Sequence, residues 1–204
     1  MNLQKLKEAE AHFLTSYPDG FADEGLADIS KKHPLDRMTT LAREVLSRKS
    51  FDQPQTLVEN LVRLVSRSSM VSMFEKPKFR DAVHDMNSDE RAALAAAYKK
   101  LVHGKQSKGF EEVVDILAAR KIARWSVITI GLFYYRPQTE VFVKPTTAKK
   151  IVEGLSLSHL EYHPRPDWAF YEGYRTAIED IRKRVSPSLS SNNAALTGFL
   201  MMTL

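Results

Sequence analysis

The chain has 204 residues, 43% hydrophobic and 27% charged, with a formal net charge of +5 and no cysteine. That length supports one domain, or two small ones, with a core that needs no covalent staple. Without cysteine there is no disulfide, no thiolate metal site and no cysteine nucleophile, and a reducing cytoplasm is the expected compartment.

The charge is unevenly placed. Residues 1–119 carry 18 Lys and Arg against 18 Asp and Glu, residues 120–185 carry 12 against 7, and residues 186–204 carry none. The basic excess therefore falls in the stretch that also holds both tryptophans, Trp125 and Trp168. A clustered excess attracts anions, nucleic acid included; a solvated face is the plainer reading.

In chain order, the opening Leu3–Thr15 reads as a helix with Leu3, Leu6, Phe13 and Leu14 on one side, closed by the turn Tyr17-Pro18-Asp19-Gly20. It lacks the continuous apolar core of a signal peptide. A short helix is expected at Glu24–Ser30, and another opens at Pro34 with Leu35, Met38, Leu41 and Val45 on one side. Pro54 restarts the chain, and Leu57, Val58, Leu61, Leu64 and Val65 form the next stripe. Serines at 66, 68 and 69 weaken its end. Met70, Val71, Met73 and Phe74 then make a small apolar patch.

A helix is predicted from Pro77 to Met86. Asn87 with Glu90 is a capping-box signal for the helix after it. The polar stretch Lys105–Gly109 reads as a connector, dividing a helical part, 1–105, from an aromatic, basic part, 106–204, unless the two form one continuous domain. Phe110–Ile122 resumes helical spacing. Periodicity does not separate helix from strand over 125–135; continuity with the preceding helix favours helix, with Gly131 as a close-packing point. This run is far shorter than the ~20 residues a membrane span needs, so no membrane partner is expected. Glu140–Lys144 reads as a strand and His159–His163 as a second one. Thr146 or Thr147 is expected to cap a short helix, Ala148–Leu155, that Gly154 terminates, and a long one runs from Pro166 to Val185. The apolar tail Ala194–Leu204 is expected to pack back on the body. The fold class is thus mainly α, a helix bundle with a small β element.

Three constellations carry candidate chemistry. His159, Glu161 and His163 would share one face of a strand, as zinc or another divalent ion requires; a polar strand edge is the structural alternative. Lys144, Lys149 and Lys150 surround a helix start, where free N–H groups favour phosphate, although the glycines of a P-loop are missing. Arg124, Arg136 and Arg165 alternate with aromatic residues, the composition of a base-stacking surface or of an ordinary core. No nucleophile elbow occurs, and no motif calls for a cofactor.

Trp125, the run Phe142-Val143-Lys144-Pro145 with Thr147 after it, Tyr162, and Pro166-Asp167-Trp168 with Tyr171 together resemble a family of uncharacterised bacterial proteins. These share an F-[LV]-K-P core with a following threonine and a later Y…P-x-W-x-x-Y element. The resemblance implies that residues 120–200 form one structural unit; it brings no activity. The leading expectation is a binding module for nucleic acid or another polyanion. A metal- or small-molecule-dependent enzyme at His159, Glu161 and His163 is the alternative, and a protein-interaction or assembly role is the third.

Overall fold

The computed structural model describes residues 1–204, Ser30 by its backbone alone, and its centre is the apolar run Trp125–Tyr135. The α-helices in order are α1 (Leu3–Ser16), α2 (Ala27–Lys32), α3 (Leu35–Val45), α4 (Pro54–Arg67), α5 (Glu75–His84), α6 (Ser88–His103), α7 (Gln106–Ala119), α8 (Trp125–Tyr135), α9 (Pro145–Gly154), α10 (Trp168–Arg182) and α11 (Asn193–Thr203). Every residue of α8 from Trp125 to Tyr134 is buried. A helix apolar on all sides must be wrapped, and α3, α4 and α7 pack around this one. One cluster of buried apolar residues runs from Leu6 through α8 to Leu200. No described helix is long and apolar enough to cross a membrane.

Local signals act as the sequence suggests at several ends. The Asn87 side chain accepts from the Glu90 N–H, and the Glu90 carboxylate accepts from the Asn87 N–H, so the capping box forms. Asp167, expected inside the first turn of the last long helix, instead accepts from the Phe170 N–H and caps α10, which starts two residues later than Pro166 suggests. The tail folds as α11 and buries Leu196, Phe199 and Leu200 against α1, α9 and α10.

The β element is absent: among the described residues there is no strand. Residues 140–143 have no regular secondary structure, and Glu140, Val141, Phe142 and Val143 are all buried, so no face alternates with solvent. Side chains take the place of a neighbouring strand. The Val143 N–H donates to Thr129 Oγ1 at 3.0 Å, the Val141 N–H to the Tyr171 hydroxyl at 3.4 Å, and Asn193 Nδ2 donates to the Glu140 carbonyl at 2.8 Å. Buried backbone groups need partners of some kind, and these meet that need singly. Residues 159–163 are likewise a loop, tied down where Trp125 Nε1 donates to the His163 carbonyl at 2.8 Å.

Two further boundaries differ. The stretch read as a connector is the first turn of α7, and the link from α6 shrinks to Gly104 and Lys105. The helix from Phe110 does not continue into α8; it breaks at Arg120–Arg124, where Lys121 takes φ 58°. The apolar patch after α4 also splits. Val71 is buried, while Met73 and Phe74 stand 74% and 75% exposed. Phe74→Ser is therefore expected to change stability by no more than about 0.5 kcal/mol. Urea unfolding checks this, and a loss like that of a core phenylalanine would contradict the placement.

Candidate functional site

An open groove of about 710 Å³ runs between the N-terminal elements and α11, within the roughly 300–1,000 Å³ range of small-molecule sites. Phe21, Ile29, Leu35, Met70, Phe142 and Met202 form much of its apolar wall. The polar groups are His33, Asp36, Arg37, Ser69, Lys144, Thr147, Ser191, Asn192 and Thr197. They come from distant parts of the chain. His33 closes α2, Ser69 follows α4, Lys144 precedes α9, and Asn192 caps α11.

Lys144 and Arg37 bring positive charge to the groove lining and Asp36 a negative one. Lys144 is exposed at the N-cap position of α9, and no side chain caps that helix: Thr146 and Thr147, expected as caps, fall inside its first turn because the helix already starts at Pro145. Its leading N–H groups are left as a positive helix end next to a lysine. His33 Nδ1 lies 2.8 Å from Ser69 Oγ. Burial, followed by the charges of Lys32 and Lys144, pushes the His33 pKa below its ordinary value. The imidazole is thus held neutral near pH 7, since its ordinary value is already about 6.5.

Of the six cations expected at an anion surface, Lys144 alone lines the groove. Lys149 Nζ sits 4.8 Å over the Tyr162 ring. Lys150 donates to the Met201 carbonyl at 2.8 Å, near the end of α11. Arg124 is the exposed residue before α8. Arg136 donates to the Val102 carbonyl at 2.9 Å and stacks over Tyr135. Arg165 pairs with Asp115 at 2.7 Å. The rings between these cations face inward: Trp125, Tyr134 and Tyr171 are all 1% exposed or less.

The expected metal triad is not assembled. His163 lies 3.4 Å from both Glu161 and Asp167, but among the described residues no three His, Asp or Glu side chains form a group able to hold an ion. Strand alternation would have aligned His159 with the other two; the loop does not. Sequence reasoning missed His33 and Ser69. They lie 36 positions apart, and each reads locally as part of a helix end, so no local pattern links them. No family model, curated protein or solved structure matches the chain, and the groove is read from its geometry.

Proposed function

We propose that the protein is a binding module whose ligand is an anionic amphiphile, an apolar body ending in an acid group. The observation that carries this reading is the groove itself, apolar along its wall and bounded at one edge by Lys144 and the uncapped start of α9. Removing apolar surface from water supplies about 25 cal/mol per Å². The charged edge then selects an acid over a neutral analogue.

Calorimetric titration with decanoate and decanol tests this. Decanoate is expected to bind, and Lys144→Ala to weaken it about tenfold, near 1.4 kcal/mol, with decanol unaffected. No heat with decanoate, or an equal loss for decanol, would contradict it.

A wider polyanion reading, nucleic acid included, keeps one observation in its favour. Among the described residues Lys144, Lys149, Lys150 and Arg124 have no carboxylate at ion-pair distance. Duplex DNA binding that falls by roughly 0.9 log units per log unit of salt for each phosphate contact would support it.

A further inference from the structure

The groove contains a pair that ligand binding alone does not use. Ser69 is exposed, and its hydroxyl lies 2.8 Å from His33 Nδ1. Both residues are fixed by their neighbours. The buried Ser68 hydroxyl accepts the N–H groups of Met70 and Val71 at 3.1 and 3.3 Å and bonds the Tyr134 hydroxyl at 2.9 Å, pinning the turn that presents Ser69. The His33 backbone N–H is bound to the Ile29 carbonyl at 3.0 Å, and Pro34 restricts the backbone of His33 before it.

We infer that Ser69 is a nucleophile served by His33 as general base, and that the groove hydrolyses esters of apolar acyl chains. A serine hydroxyl is a weak nucleophile until a base within hydrogen-bond reach takes its proton. Ser69 Oγ attacks the acyl carbonyl carbon, and its proton passes to His33 Nδ1. The tetrahedral oxyanion collapses, the bond from carbon to the alcohol oxygen breaks, and the alcohol leaves with the proton from His33. Water, activated by the same imidazole, then attacks the acyl-serine; the fatty acid departs and Ser69 regains its proton. Ester and water become acid and alcohol. Lys144, whose charge already acts on His33, has the sign needed to stabilise the oxyanion. The charged and titratable groups around His33 are Lys32, Asp36, Arg37 and Lys144. Lys32 and Lys144 favour the neutral imidazole, while Asp36 and Arg37 share the groove lining.

The inference rests on the groove reading only for the apolar chain of the substrate. A long-chain alkyl fluorophosphonate tests it on the full protein: Ser69 Oγ would displace fluoride and keep the phosphonyl group, which peptide mass spectrometry locates. The expected result is an adduct confined to Ser69, absent in Ser69→Ala and formed about a hundredfold more slowly in His33→Gln. Ser69 is exposed, so its alanine variant is expected to fold, and labelling of the unaltered protein needs no variant. An adduct on Ser69 that depends on His33 supports the inference whether or not decanoate binds. Absence of that adduct, equal labelling in His33→Gln, or an even spread over exposed serines overturns it even where decanoate does bind.

Discussion

Gly109→Ala is expected to destabilise the protein by roughly 3 kcal/mol or more, at or above the top of the usual overpacking range of about 1–3 kcal/mol. Gly109 lies in the first turn of α7, where α7 crosses α6. A Cβ placed there would meet the Leu101 nitrogen at 2.1 Å, the Leu101 Cα at 2.5 Å and the Lys100 carbonyl carbon at 2.7 Å. All three are backbone atoms, so no side-chain rotation relieves the clash. The helices must separate, and Leu101, Val102, Phe110 and Val113, each 3% exposed or less, lose packing along the crossing. A loss of that size is a large share of a typical stability of about 5–15 kcal/mol. At roughly 2–4 °C per kcal/mol for a chain of this length, the unfolding midpoint should fall by about 10 °C. Gly131→Ala is the control. Its Cβ would find Leu46 and Leu64 side-chain atoms at 3.9 Å, ordinary contact, and alanine is the better helix former. A wild-type midpoint in Gly109→Ala, or an equal fall in Gly131→Ala, would refute the account.

These two glycines show where the sequence was legible and where it was not. Gly131, inside an apolar run, reads as the close-packing point; Gly109, inside a polar run, reads as part of a connector. The structure reverses them, because packing distance depends on the partner helix, which local composition does not reveal. Helix stripes were legible for the opposite reason. The spacing of Leu57, Leu61, Leu64 and Val65 needs no partner to be read, and the exchange between Asn87 and Glu90 spans three residues. The expected strand at 140–144 failed because β-branched residues favour any extended, buried path, and the groups that satisfy this one come from Thr129, Tyr171 and Asn193. The groove was least legible. It is built from the ends of α2, α4 and α11 and the start of α9, and among its polar residues only Lys144 and Thr147 stood out in the sequence.

The same buried segment carries the other large expected effect. Glu140 is 3% exposed, and its carboxylate accepts from Gln106 Nε2 at 2.9 Å, the Tyr171 hydroxyl at 2.7 Å and Arg175 Nη1 at 3.1 Å. Burial, then the Glu140 charge, raises the Tyr171 pKa well above its ordinary value, so the phenol remains a donor. The Arg175 guanidinium also lies 5.5 Å from the Trp168 ring centroid and 5.7 Å from that of Tyr171, which limits its freedom to leave. A buried pair of this kind adds little over an apolar replacement, but removing one partner strands the other charge. Arg175→Met is therefore expected to lose about 3–5 kcal/mol. Glu140→Gln should lose less, about 1–2 kcal/mol, because the amide oxygen still accepts from Tyr171 and the 23%-exposed Arg175 side chain retains access to water. Combining the two should recover much of the arginine loss, giving a favourable coupling in a double-mutant cycle from urea unfolding. Additive losses would mean that Arg175 contributes through its stacking on Trp168 and Tyr171, and that the carboxylate does not depend on it.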